Sequence, residues 1–142
     1  MVALLDVNVL IALIDSVHRF HRTAKDWALK NGSSGWASCP LTQNGCIRIV
    51  IQPGYPGPAT MQQAIQTLLS LWQSPHHQFW CDEMSLLDAN AFDHSKIYGH
   101  RQLTYLNMLG LAVKHQGRFV TLDSATLLSP VKGAKKQHVT EL

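Results

Sequence analysis

The sequence predicts an α/β fold with three layers, α/β/α, around a central parallel sheet of four to five strands. Short, unbroken apolar runs alternate along the chain with longer segments of helical periodicity, a pattern typical of strands joined by right-handed helical crossovers. The apolar runs lack polar alternation, as expected of strands that are buried on both faces. The 142 residues have the length of one domain, so we expect a single domain over residues 1–142.

The first half of the chain begins with an apolar run, residues 2–5, that ends at Asp6. Asn8 is a favourable N-cap for a helix in the apolar run at residues 9–14. An amphipathic helix is expected at residues 18–30, and the turn residues that follow end it. A short strand is expected at residues 36–39, and Pro40 and Thr42 favour the start of a helix that continues to residue 51.

The second half of the chain repeats this alternation. Three prolines within residues 52–58 predict a loop, and residues 59–73 are expected to form a helix with Ala64, Leu68 and Leu69 directed inward. We further expect a strand at residues 78–81, a connection with helical character at 82–93 and the longest helix at 100–115. A strand at residues 118–122 and a last edge strand at 138–140 complete the predicted sheet.

Composition limits the classes of protein that fit. Hydrophobic residues make up 46% of the chain and charged residues only 15%, which favours a core with part of the surface covered by a partner. The net charge of +3 suits a polyanionic partner without requiring one. The three cysteines lack zinc spacing, and neither a signal peptide nor a membrane span is expected, so we predict a reduced, cytoplasmic protein with no membrane contact.

Two acidic residues follow apolar strands near opposite ends of the chain. Asp6 follows the first strand, and Asp123 follows residues 120–122. Because carboxyl ends of neighbouring parallel strands lie at the same edge of a sheet, we expect these acids to meet there. Two nearby carboxylates repel each other unless a cation lies between them, and Mg²⁺ or Mn²⁺ prefers such oxygen ligands. The alternative is that each aspartate only caps the helix or turn that follows it.

Four segments of the chain resemble the PIN-domain family, specifically the VapC-type toxins of bacterial toxin–antitoxin pairs. They are residues 5–10 (LDVNVL), residues 40–45 (PLTQNG) together with Arg48, residues 99–104 (GHRQLT) and residues 117–123 (GRFVTLD). The resemblance covers nearly the whole length and depends on the order and separation of the segments. It implies a PIN-like fold and a Mg²⁺- or Mn²⁺-dependent ribonuclease of single-stranded RNA, forming a homodimer and held inactive by a cognate antitoxin.

The resemblance also implies roles for individual residues. Asp6 matches the first acid of the family and Asp123 the last, and both would bind the metal ion. The second acid falls at Gln43 or Asn44, which with Thr104 would orient water or ligands while metal-activated water attacks an RNA phosphodiester. Beyond the catalytic set Asp6, Asp123, Gln43 and Thr104, the supporting positions are Asn8, Thr42 and Asn44, and the candidate RNA contacts are Arg48, His100 and Arg101.

One position departs from the family pattern. The late helix of the family opens Thr-Asp-x-Tyr-Leu, whereas this chain reads TYLNM from Thr104, so Tyr105 replaces the acid and Asn107 the tyrosine. A neutral phenol is a poor Mg²⁺ ligand, and Asn107 is expected on the other side of the helix. Asp93 is expected to have a surface or capping role. The alternative function is therefore a degenerate PIN domain that binds RNA or antitoxin with weak or no cleavage.

Other side chains carry weaker signals. Tyr98 or Tyr105 is a candidate for stacking on a base, and the four tryptophans are read as contacts in the core or in a dimer. Residues 132–136 are read as a solvated basic segment. A response-regulator receiver would place acids at the same sheet edge, but its acid doublet and lysine do not occur at matching strand ends here.

Overall fold

The computed structural model describes residues 1–124 and 127–142. Its five strands are β1 (Ala3–Leu5), β2 (Trp36–Ser38), β3 (His77–Phe79), β4 (Arg118–Thr121) and β5 (Val139–Glu141). All neighbouring strands pair in parallel in the order β3-β2-β1-β4-β5, which makes β1 the central strand. The five helices are α1 (Val7–Ile14), α2 (His21–Asn31), α3 (Pro40–Val50), α4 (Met61–Trp72) and α5 (Leu103–Lys114).

Two apolar clusters fill the space on the two faces of the sheet. Successive side chains of a strand point to opposite faces, so Leu5 joins the cluster that contains α1 to α4, while Leu4 joins the cluster that contains α5. All three residues of β1 are buried. The predicted three-layer α/β/α fold with a parallel sheet of four to five strands is therefore confirmed. None of the helices in the described residues is both long and apolar enough to cross a membrane.

The first helix begins two residues earlier than the sequence suggests. Asp6 is the N-cap of α1, and its Oδ1 accepts a hydrogen bond from the backbone N–H of Val7 at 2.7 Å. The prediction that Asn8 is the N-cap is wrong, because Asn8 already lies in the first turn. The next helix, α2, starts at His21 instead of residue 18. Turns occupy the preceding residues, where Asp15 and His18 accept backbone hydrogen bonds.

The predicted helical character of residues 82–93 is wrong. These residues form turns and extended backbone, with Leu87 88% exposed. Phe92 anchors the end of the segment, because its ring packs where Gly110 of α5 has no side chain. A Cβ on Gly110 would lie 2.7 Å from the Phe92 ring. Leu86 and Ala91 are partly buried against the core cluster without forming a helix, while Leu87 faces solvent.

The inward face of α4 also differs from the prediction. Ala64 and Leu68 are buried as expected, but Leu69 is 49% exposed. Adjacent helical residues are separated by about 100° around the axis, so Leu69 cannot share the direction of Leu68. Leu69 belongs instead to an outward apolar stripe with Met61, Ile65 and Trp72.

The helices α1 and α3 approach each other closely, and both begin at the carboxyl edge of the sheet. Their closest contact is at Gly45, where a Cβ would lie 2.6 Å from Cγ2 of Val7. This close approach sets the distance between the helix N-termini that follow β1 and β2.

We expect Gly45→Ala to destabilise the protein. Overpacking a close helix contact costs about 1–3 kcal/mol, which outweighs the gain of up to about 1 kcal/mol in helix propensity. Urea denaturation should give a lower free energy of unfolding for Gly45→Ala and little loss for Gly32→Ala, because no atom lies within 4 Å of a Cβ at Gly32. Adding Val7→Ala should recover part of the loss; equal stability of the two glycine variants would contradict the contact.

Candidate active site

The hydroxyl of Thr121 joins the carboxyl ends of β1 and β4. The two strands are neighbours with Leu5 paired to Val120, and Thr121 Oγ1 donates to Asp6 Oδ2 at 2.6 Å. The same hydroxyl accepts the backbone N–H of Asp123 at 3.1 Å. Residues that are more than a hundred positions apart in sequence are therefore linked through one buried side chain.

Asn8 completes this network from the first turn of α1. Its amide nitrogen donates to Thr121 Oγ1 at 3.3 Å, and its carbonyl oxygen accepts the backbone N–H of Leu122 at 3.2 Å. Asn8 thus ties α1 to the segment that carries Asp123. Its side chain therefore connects the first turn of α1 with the end of β4 and does not cap the helix.

The electrostatic state of Asp6 is set mainly by its burial. Burial raises the pKa of the Asp6 carboxyl above its ordinary value, hydrogen bonds from Thr121 and Val7 act in the opposite direction, and the charge of Asp123 raises it further. The ionised form is therefore disfavoured by both burial and its acidic neighbour. A cation at this edge would reverse both effects.

An open cleft of about 900 Å³ lies beside Asp123. Asp123 and Ser124 line it together with Tyr105 and Leu106 of α5 and with Arg101, which precedes that helix. The ring of Tyr105 packs edge-on against Phe119 of β4, with ring centroids 5.5 Å apart. Tyr105, at the position where the family carries an acid, therefore lies in the same cleft as Asp123.

The predicted residues of α3 are not part of the Thr121 network. Thr42 is fully buried and closes the first turn of α3, where its hydroxyl bonds with the backbone N–H and carbonyl of Cys39. Gln43 Nε2 donates to Ser38 Oγ at 2.9 Å, so its amide is attached to the end of β2. Asn44 and Arg48 are exposed on α3.

The remaining predicted residues lie at the beginning of α5. His100 and Arg101 belong to a 3-10 turn, His100–Gln102, and Thr104 is in the first turn of the helix; all three are exposed. Arg101 reaches the cleft, and neither it nor Arg48 forms an ion pair with an acidic side chain in the described residues. These cations are available to an anionic ligand.

Neither candidate replacement for the acid at position 105 lies in the cleft. Asn107 donates to the carbonyl of Met84 at 3.0 Å and so holds the loop that follows β3. Asp93 caps a 3-10 turn through Ser95 and forms an ion pair with Lys96 at 3.3 Å. The hydrogen bond from Ser95 and the charge of Lys96 lower the pKa of Asp93. Its capping role agrees with the sequence-based expectation.

Sequence reasoning missed Thr121, Ser38 and Asp82. Thr121 and Ser38 are polar residues that directly follow apolar residues of β4 and β2, which is the one signal in the sequence that points to them. Asp82 follows the edge strand β3 and lies near Cys39; burial raises the pKa of the Cys39 thiol, and the charge of Asp82 adds to the rise. Asp82 is thus another acid at the carboxyl edge.

The donor set of the site is suitable for a hard divalent cation. In the described part of the chain, no group of three or more His, Cys, Asp or Glu side chains is arranged as a complete metal site. Mg²⁺, however, commonly uses only one or two protein carboxylates and keeps several water ligands. Each carboxylate oxygen of Asp6 accepts one hydrogen bond and retains a further acceptor position. Asp6 and Asp123 therefore fit such an ion.

Comparison with known proteins identifies the family. No protein-family model matches the sequence. Ribonuclease VapC44 of Mycobacterium tuberculosis is 44% identical over 140 residues, which cover 99% of this chain and 99% of that protein. Two crystal structures share the fold, each covering 87% of this chain and 89% of the other. They are VapBC2 from Rickettsia felis bound to a promoter DNA fragment (TM-score 0.58, 11% identity) and M. tuberculosis VapC20, described as a sarcin–ricin loop cleaving toxin (TM-score 0.56, 9% identity). The chain belongs to the VapC ribonuclease family of PIN-domain toxins.

Proposed function

We propose that this protein is a metal-dependent endoribonuclease that acts as the toxin of a toxin–antitoxin pair and cleaves single-stranded RNA. The observation that carries the proposal is the link from Asp6 through Thr121 to Asp123 beside an open cleft. The name of VapC44 and the description of VapC20 support RNA as the substrate. One domain over residues 1–142 would carry this activity in the cytoplasm, where its RNA substrates occur.

The acids would hold the cation, and the surrounding side chains would hold the acids. Asp6 and Asp123 are the residues that would bind Mg²⁺ or Mn²⁺. The ion, when bound, would activate water and stabilise the charge on the phosphodiester in the transition state. Thr121 and Asn8 keep Asp6 in place through the hydrogen bonds described above. Because these bonds exist in the protein alone, the carboxylate need not be reoriented for the reaction.

The cleft offers contacts for the rest of the RNA. Arg101 brings a guanidinium to the cleft that Asp123 also lines, where it can pair with a phosphate. Tyr105 lines the same cleft and presents an aromatic ring, which suits stacking of an unpaired base. Arg48 and His100 are exposed and would extend the contact to flanking phosphates.

We propose two protein partners. The first is a cognate antitoxin, supported by the VapBC2 complex. The second is another copy of this chain, bound through the α4 patch, which consists of Met61, Ile65, Leu69, Trp72 and Phe79. Each of these side chains is at least 37% exposed, and the rings of Trp72 and Phe79 are 6.0 Å apart.

The charge of the α4 patch favours a second copy over an unrelated partner. In a twofold symmetric dimer the same surface faces itself, so any charge in it would oppose a like charge. The helix α4 contains no acidic or basic residue, although its outer side is exposed. Trp72 lies in the patch, as the prediction of dimer contacts requires, while Trp80 is buried in the core.

Tyr105 favours a second function, a degenerate domain that binds RNA or antitoxin without efficient cleavage. A phenol in the cleft beside Asp123 contributes neither the negative charge nor the ligand of a carboxylate. Under this alternative the cleft would still bind RNA through Arg101 and Tyr105, and the turnover would be slow.

We expect Asp6→Asn and Asp123→Asn each to lower RNA cleavage by at least roughly a hundredfold, since even residues behind a metal ligand contribute tenfold to a hundredfold. Cleavage of a fluorescent single-stranded RNA in the presence of Mg²⁺ measures this. Asp26→Asn, which changes an exposed carboxylate on α2, should retain full activity. Full activity of either site variant would contradict the proposal.

Binding of the cation should also be visible without RNA. Mg²⁺ should raise the melting temperature of the wild-type protein and have little effect on Asp6→Asn. Because the pKa of Asp6 is raised, its proton is retained in the folded state at a pH where the unfolded chain has released it. The Mg²⁺-induced shift should therefore shrink as the pH falls towards the pKa of Asp6.

Tyr105→Asp should increase cleavage and lower the Mg²⁺ concentration needed for half-maximal activity, by about tenfold, because it adds a carboxylate to the cleft. Tyr105→Asn is the matched control, since it removes the ring without adding charge. If Tyr105→Asn gains as much as Tyr105→Asp, charge is not the limiting factor. If neither gains activity, the ligands already present suffice and the degenerate alternative is wrong.

Leu69→Lys should dissociate the dimer, raising its dissociation constant by at least about tenfold, because a buried charge would face its symmetry copy. Sedimentation velocity at micromolar concentration measures the change. Leu87→Lys, the same substitution at an 88% exposed residue outside the patch, should leave the dimer intact. A monomeric wild-type protein, or a dimeric Leu69→Lys, would contradict an interface through α4.

A further inference from the structure

Three polar side chains, one each from the first turn of α3, the last residue of β2 and the first residue of β3, form a row. Gln43 Nε2 lies 2.9 Å from Ser38 Oγ, and Ser38 Oγ lies 2.8 Å from His77 Nε2. The imidazole of His77 contacts two tryptophan rings, with ring centroids 4.4 Å from Trp36 and 5.5 Å from Trp72. The row therefore connects the α4 patch with the first turn of α3.

With the Gln43 NH₂ group directed at Ser38, the direction of both hydrogen bonds follows. An amide NH₂ can only donate, so Ser38 accepts from Gln43. Ser38 is 1% exposed, and its own proton needs an acceptor inside the protein. Among the described residues, the acceptor within reach is His77 Nε2. His77 must then be neutral, with its proton on Nδ1.

The surroundings of His77 favour this neutral form. Burial lowers the pKa of His77 below its ordinary value. The contacts with Trp36 and Trp72 accompany an imidazole whose Nε2 is directed at Ser38. Aromatic packing therefore supports the orientation that the hydrogen bond requires.

We propose that His77 and Ser38 are positioning residues that fix the orientation of the Gln43 amide, turning its NH₂ group into the protein and leaving its carbonyl oxygen outward. The Gln43 side chain is only partly buried, and its carbonyl oxygen accepts no hydrogen bond from the described residues. The first turn of α3 therefore presents an acceptor at the carboxyl edge, which suits a water molecule or an RNA hydroxyl and repels a phosphate oxygen. This consequence for RNA rests on the proposed function, whereas the hydrogen-bond direction does not.

The protonation of His77 in the wild-type protein gives the first test. Long-range ¹H–¹⁵N spectra at neutral pH distinguish the two neutral tautomers and the imidazolium form of each histidine. His77→Phe, which keeps an aromatic ring beside the tryptophans, assigns the signals by removing them. A proton on Nδ1 with bare Nε2 is the expected result. A proton on Nε2, in either the neutral or the charged ring, would overturn the proposal.

Gln43→Glu gives the second test, because a carboxylate can only accept. Ser38 must then donate to residue 43 and accept from His77, so the His77 proton should move to Nε2 and the pKa of His77 should rise. Gln62→Glu, the same change at an exposed residue of α4, should leave the His77 signals unchanged. An unchanged tautomer and pKa in Gln43→Glu would show that residue 43 does not share the row and would overturn the inference.

The consequence for activity separates this inference from the proposed function. If the wild-type protein cleaves RNA, His77→Phe should lower kcat by roughly tenfold, as expected for loss of a residue that orients another. Its dimerisation should be unaffected, and its melting temperature should fall only modestly, because the buried Ser38 hydroxyl loses its acceptor while the aromatic packing is kept. If kcat does not fall, the acceptor role of Gln43 is wrong although the nuclease remains. If the wild-type protein does not cleave RNA, the proposed function fails, and the two spectroscopic results still decide the hydrogen-bond direction.

Discussion

The parallel pairing of β1 with β4 is the constraint on which the site depends. The two strands lie in register, with Leu5 opposite Val120, and the backbone N–H of Asp6 donates to the carbonyl of Val120 at 2.9 Å. This pairing brings the Thr121 hydroxyl within reach of Asp6 and the turn after β4 within reach of Asn8. Any shift of one residue would turn Thr121 to the opposite face of the sheet and separate the two acids.

Sequence patterns predicted the strands well because their physical cause is local. A strand that is buried on both faces is expected to be apolar, and β1, which is Ala3–Leu5, satisfies that rule. The errors occurred where burial depends on distant residues. The segment at 82–93 has apolar residues in helical spacing, but its conformation follows from the fit of Phe92 against Gly110. Likewise, Leu69 belongs to an apolar stripe that is exposed in the single chain. Hydrophobic periodicity cannot distinguish such a stripe from a face that packs on the core.

Only the acidic residues of the site could be singled out from the sequence. An acid directly after an apolar strand is unusual enough to single out Asp6 and Asp123, and the structure places them at one edge as expected. Thr121 carries no comparable signal, because a β-branched residue is common in any strand. The row of Gln43, Ser38 and His77 is still less visible, since Ser38 and His77 are separated by 39 residues and meet only when β2 and β3 pair. Predicting a polar contact between two strands requires their pairing register, and the sequence alone does not give that register.

The presence of Tyr105 in place of an acid also affects the stability of the metal-free protein. Asp123 already raises the pKa of the half-buried Asp6, so a third carboxylate in the same cleft would add repulsion that only a bound cation could remove. The aromatic ring instead packs against Phe119 and contributes apolar contact between α5 and β4. Under the metal-dependent function proposed above, Tyr105 would therefore favour the folded state without metal at the expense of metal affinity. Under that proposal, the stability of the metal-free site and the efficiency of the metal-bound site are opposed at this one position.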